Sequence, residues 1–126
     1  MTTNFHNLEV WQIGYELVLD FYKITEKFPE SEKNNIISQI KRASVSIPLN
    51  IAEGSTRSTS RAYSQFLNYS YGSIKELEVL LMLSRDLKYI NDEEYKIFFE
   101  KLDILSRKLY SFINIINNER IYWLSS

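Results

Sequence analysis

The 126 residues include no cysteine and a single histidine, His6. The first absence removes disulfides, thiolate metal sites and cysteine nucleophiles together, and it fits a reducing compartment. The second removes the paired Glu-x-x-His motifs that di-iron bundles draw from two helices. It also removes any serine-histidine-aspartate set in a core, because His6 precedes the first long amphipathic segment. Glycine occurs only at Gly14, Gly54 and Gly72, so there is no glycine-rich phosphate loop. Carboxylates such as Glu76 and Glu78 are two residues apart and point to different faces of a helix. No catalytic, cofactor-binding or metal-ligating residue is nominated, and the chain reads as a non-enzyme without a cofactor.

Charge excess is missing as well. Lys and Arg total 15 against 16 Asp and Glu, a net charge of -1, which is not the balance of a strongly nucleic-acid-seeking protein. No apolar run approaches the roughly 18 residues of a membrane span, and "MTTNFHNLEV" has no basic stretch leading into an apolar one. The expectation is a cytoplasmic protein with no membrane partner.

Strong chain breakers are few, with Pro29 and Pro48 the only prolines, so long helices are predicted. They fall at about 5–27, 31–54, 59–88 and 91–118, within one domain spanning 1–126. Ser31 is placed as the cap of the second helix. Asn91 and Glu94 have capping-box spacing at the start of the fourth. In that last helix Tyr95, Phe98, Leu102, Leu105, Leu109, Phe112 and Ile116 alternate steps of three and four, a core seam. Short connections between long helices make the fold class all-α, an up-down-up-down antiparallel four-helix bundle.

On the second helix Ile36, Ile40, Ala43, Ile47 and Ile51 keep one arc across Pro48, which predicts a proline kink and not a break. Ser44 and Ser46 come out at the height of Gly14 and Gly72 on the neighbouring helices, so a close-packed layer of small residues is expected there. Beside the arc runs a polar stripe, Gln39, Arg42, Ser46, Asn50, Glu53 and Arg57. It is either solvated or enclosed and internally paired. Arg57, Arg61 and Arg120 gather at one end of the bundle as candidate nucleic-acid or partner contacts.

The first and third helices are apolar over more of their circumference than one bundle buries. Trp11 on the first and Tyr69, Val79 and Leu83 on the third are the candidate subunit interface; wide stripes in a tight monomer are the alternative. Glu76 is the lone acid on that secondary face of the third helix. Arg42 lies at similar height, each roughly 20 to 25 Å from the shared end at 1.5 Å per residue. An interhelical or intersubunit Arg42–Glu76 ion pair is therefore predicted, with Glu78 or solvent as the competing partners of Arg42.

The stretches "LEVWQIGYELVLDFYKITEKFPESE", "QIKRASVSIPLNIAEGSTR" and "YSYGSIKELEVLLMLSRDLKYI" span most of the chain. Together they resemble the bacterial four-helix-bundle family named from proteins encoded in intervening sequences of 23S ribosomal RNA genes. The most specific block runs from Gln39 through Arg42 and Ser46-Ile47 to Asn50-Ile51-Ala52-Glu53-Gly54. The resemblance implies a bundle that assembles as a ring, typically a pentamer, with no known catalytic activity. A related branch, the accessory variability determinant of diversity-generating retroelements, forms a pentameric barrel whose basic surface engages nucleic acid and a reverse transcriptase. This chain departs from that branch in being net acidic. The leading expectation is a homo-oligomeric adaptor for a protein or ribonucleoprotein partner. The second is a nucleic-acid-binding accessory protein that binds weakly and salt-sensitively through a basic end of the ring.

Overall fold

Four helices carry the regular structure: α1 (Glu9–Ile24), α2 (Ile36–Ser55), α3 (Ser60–Asp86) and α4 (Asp92–Ser125). The structure, a computed structural model, describes the backbone from Asn4 to Ser125 and side chains as far as Glu119. The fold is an all-α four-helix bundle.

The predicted arcs form the core. Ile36, Ile40, Ala43, Ile47 and Ile51 of α2 are all buried, and α2 passes Pro48 unbroken. Phe98, Leu102, Leu105, Leu109 and Ile116 of α4 face them, with Ser70, Ile74, Leu77 and Leu81 of α3. On α1 the buried line is Val10, Gly14, Leu17 and Phe21, and Phe21 meets Phe98 with ring centres 5.0 Å apart. Burial of side chains this size contributes about 1.5 to 3 kcal/mol each relative to exposure.

Neighbouring helices meet with their numbering opposed. Gly14 lies against Ile47 and Tyr22 under Lys41 between α1 and α2. Ser70 Oγ donates to the Ile47 carbonyl at 2.8 Å between α3 and α2, further along than Arg42 and Glu76. Tyr63 meets Phe112, and Arg85 meets Tyr95, between α3 and α4. Glu9 with Lys108 and Asp20 with Lys101 tie α4 back to α1.

The helix ends show where local signals operate. Asn91 and Glu94 form the predicted capping box: Glu94 N–H donates to Asn91 Oδ1 at 2.8 Å, and Asn91 N–H donates to Glu94 Oε1 at 2.9 Å. Thr59 caps α3 by accepting from Ala62 N–H at 3.1 Å. At the other end of α3, Tyr89 N–H reaches the Ser84 carbonyl and Lys88 N–H the Arg85 carbonyl, a Schellman closure. Lys88 adopts φ 65° to make it, in a position where glycine is the usual residue.

Two boundaries differ from expectation. α1 is bracketed by 3₁₀ turns at Phe5–Asn7 and Thr25–Lys27, so the helix proper is shorter than 5–27. Ser31 does not cap α2. It lies in a 3₁₀ turn, Glu30–Glu32, and α2 begins five residues later after Asn35. The Tyr89 hydroxyl donates to Glu32 Oε2 at 2.8 Å, a contact across 57 positions that holds the turn against the α3–α4 connection.

Candidate functional site

Apolar surface stays outside on α1 with α2, on α3, and on α4 at Ile97, Ile104, Tyr110 and Ile115; the first two faces carry the residues assigned to a subunit interface. On α1, apolar over more of its circumference than one bundle buries, the structure buries the line through Leu17 and Phe21. The aromatic line stays outside: Tyr15 is 49% and Tyr22 42% exposed, while Trp11 is half-buried against Phe5 and Tyr15 at ring distances of 5.1 Å. Between this line and α2 lies a groove of about 350 Å³ walled by Trp11, Tyr15, Leu19, Val45 and Leu49. Leu19 and Leu49, among the most exposed aliphatic residues, were not assigned to an interface from the sequence, although i+8 spacing from Trp11 and i+4 spacing from Tyr15 place Leu19 on their line.

The second face is the outer stripe of α3. Tyr69, Val79 and Leu83 are all exposed, as their assignment to a subunit interface requires, whereas Leu80 turns into the core. Gly72 lies between them, and a Cβ built there would meet nothing within 4 Å. The close-packed layer therefore includes Gly14, whose Cβ would stand 3.0 Å from Ile47 Cγ2, and the buried Ser44, but not Gly72. Gly72 is excluded because it points away from its own bundle.

The polar stripe of α2 runs along the α2–α3 edge and divides the two apolar faces. Gln39, Arg42, Glu53 and Arg57 are exposed; Ser46 and Asn50 are half-buried. Asn50 Nδ2 donates to the Ser46 carbonyl at 2.8 Å, and the Ser46 and Ser73 hydroxyls meet across the helix pair. Arg42 and Glu76 are brought together, with Nη2 3.8 Å from Oε2, but their side chains are 73% and 44% exposed. The predicted interhelical contact is present, as a loose surface pair in the single chain and without bidentate geometry, because both residues project from the outer edge of the α2–α3 seam. Glu78 is taken by Lys75 at 3.2 Å.

At the basic end, Arg57 Nη2 bonds Glu53 Oε2 at 2.8 Å and its guanidinium lies 4.6 Å from the Phe66 ring centre. Arg61 is exposed, and the Arg120 side chain lies outside the described residues. Close by, a cavity of about 490 Å³ is bordered by Ser55, Arg57, Thr59, Tyr63 and Glu119. The Tyr63 hydroxyl is buried with no hydrogen-bond partner among the described residues. Burial first and the Glu119 carboxylate second push its pKa up to about 12, so it is a neutral phenol and not a base at neutral pH. At the opposite end Glu94 is held below its ordinary value of 4.5, first by the Lys27 ammonium and then by the Asn91 N–H.

Among the described residues no cluster of three or more His, Asp or Glu side chains is arranged to hold a metal ion. Among them, too, no helix is long and apolar enough to cross a membrane. The arrangement offers apolar contact surface and a weakly charged dividing stripe.

No curated protein matches the chain. A solved structure that is similar is a protein of unknown function from the S23 ribosomal protein family of Bacteroides thetaiotaomicron VPI-5482, with 23% identity and a TM-score of 0.77. The match covers 83% of this chain and 95% of that one, a likeness of fold. The family model of the 23S rRNA-intervening sequence protein matches residues 6–111, a span that takes in the α1 aromatic line, the whole of α2 and the α3 stripe, and the chain belongs to that family.

Proposed function

We propose that the protein is a non-enzymatic, cytoplasmic, homo-oligomeric adaptor whose assembled ring presents a surface to a protein or ribonucleoprotein partner. The observation that carries this reading is the surplus apolar surface: Leu19 and Leu49 on one side, Tyr69, Val79 and Leu83 on another, all about half exposed or more. Contiguous apolar patches of this kind mark interaction sites. The pentameric stoichiometry comes from the family resemblance. Light scattering on the purified protein tests it, with five times the 15.0 kDa chain mass expected and a 15.0 kDa species at micromolar concentration as the overturning result. Affinity capture from native extract, with and without nuclease, then tells a protein partner from a ribonucleoprotein.

A second reading, nucleic-acid binding through a basic end, is favoured by the exposed Arg57 and Arg61 repeated around a ring, since phosphate affinity grows with the number of charges neutralised. The Glu53 carboxylate on Arg57 limits it. Weak binding that falls with salt and falls again in Arg57→Glu/Arg61→Glu supports this reading. Tight binding that survives high salt contradicts it.

A further inference from the structure

The outer apolar faces of α1–α2 and of α3 differ in shape. The α1–α2 face is concave, a groove of about 350 Å³, whereas α3 presents a single ridge along Tyr69, Gly72, Glu76, Val79 and Leu83 in steps of three and four. The polar stripe of α2 separates them, so neither is a continuation of the other. A contact that repeats one face against itself would press groove on groove or ridge on ridge. A contact between unlike faces seats the ridge in the groove.

Two further observations choose the occupant. Gly72 sits inside a helix, where glycine costs about 1 kcal/mol relative to alanine, and none of the described residues comes within 4 Å of a Cβ built there. A neighbouring helix pair lying close over the α3 backbone accounts for the missing side chain. Charge supplies the second. Glu76 is the one acid on the ridge, and its contact with Arg42 places it at the height of residues 41 and 42 of α2. Lys41 stands at that height on the groove side, its Nζ 4.7 Å from the centre of the Tyr22 ring, and Tyr22 follows Leu19 on the exposed line of α1. Copies related by a rotation about an axis along the bundle keep their heights, so Glu76 of one copy comes level with Lys41 of the next.

We propose that the α3 ridge of one copy of this chain docks into the α1–α2 groove of the next, joining copies head to tail with Glu76 facing Lys41 across the contact. This rests on the self-association reading above and names its two surfaces. Each copy then keeps one groove and one ridge to offer onward, the condition for a closed ring.

The test uses two double variants at exposed positions, Leu19→Glu/Leu49→Glu in the groove and Val79→Glu/Leu83→Glu on the ridge, each checked for native helicity. Each alone is expected at the 15.0 kDa chain mass. Mixed in equal amounts they are expected to give a species of twice that mass, because one intact groove meets one intact ridge. Glu76→Lys and Lys41→Glu should each weaken assembly of the otherwise unaltered chain, and their combination should restore it. An oligomeric wild type together with double variants that keep its mass, or with one that dimerises alone, or with a mixture that stays monomeric, overturns this assignment and leaves self-association standing. A monomeric wild type overturns both and gives the groove to a different protein.

Discussion

Gly14 and Gly72 both interrupt helices, where each costs about 1 kcal/mol relative to alanine, and they differ in what surrounds them. At Gly14 a Cβ would stand 3.0 Å from Ile47 Cγ2 and 3.8 Å from Pro48 Cδ; at Gly72 it would meet nothing within 4 Å. The first glycine is explained inside the chain, because there α1 packs directly against Ile47 and Pro48 of α2. The second has no explanation there. The inner glycine of this bundle is accounted for by its own packing, and the open one on the outer face of α3 is not.

The sharpest way to break that comparison is to fill both positions. Gly14→Val forces two methyls into the Ile47 contact and should destabilise by about 1 to 3 kcal/mol, the usual cost of overpacking. It should appear as a lower urea midpoint at unchanged slope. Gly72→Val should leave the midpoint of a monomeric background unmoved or slightly raised, since the site is open and valine is a somewhat better helix residue than glycine. Equal losses at the two sites would mean that Gly72 is packed internally after all.

Next in size is the end of the bundle where α4 begins. Asn91→Ala removes the N-cap acceptor and should cost about 1 kcal/mol. Glu94, the other half of the box, carries a pH signature. Its carboxyl titrates below the ordinary 4.5 in the folded protein because Lys27 and the Asn91 N–H favour the charged form. A lowered folded pKa contributes stability that is fully present above the unfolded value and is lost as pH falls through the folded one. Glu94→Gln should therefore lower the urea midpoint at neutral pH and flatten its decline below pH 4.5. An acid limb as steep as that of the wild type would remove Glu94 from the account.

How much of this was legible follows the range of the interactions. The α2 arc and the α4 seam were readable because helical period alone decides which side is apolar, and the capping box because its partners lie three residues apart. The start of α2 was not, since the turn holding Ser31 out of the helix is secured by Tyr89, far along the chain. On α1, period showed an excess of apolar circumference and did not pick out Leu17 and Phe21 as the side the core takes. Trp11 and Tyr15 satisfy much of their surface against each other and Phe5, which leaves the core to Leu17 and Phe21. For Arg42 and Glu76, helical rise gave their common height but said nothing of depth.

A smaller effect, opposite in sign, belongs to Gly72→Ala. In the Leu19→Glu/Leu49→Glu background, expected to be monomeric, the substitution removes backbone entropy without a clash, and should add up to about 1 kcal/mol or about 4 °C in Tm. In the otherwise unaltered chain the same methyl stands where a neighbour is proposed to approach, so the oligomer should dissociate at higher protein concentration. A gain in both settings would leave the open glycine without a role.

The smallest expected effect is at Arg42, and it separates the single chain from the assembly. A pair at 3.8 Å with side chains 73% and 44% exposed falls in the class of surface ion pairs, worth about 0 to 1 kcal/mol. Burial would change that, because removing one member of an enclosed pair strands the other charge at a cost of about 3 to 5 kcal/mol. Arg42→Met should accordingly leave the urea midpoint of the monomeric background almost unmoved. If docking covers the α2–α3 edge as well as the ridge, the same substitution should weaken the oligomer far more than it weakens the chain. Equal, small effects on both would confine the contact to the apolar residues and leave Arg42 in solvent in the assembled protein.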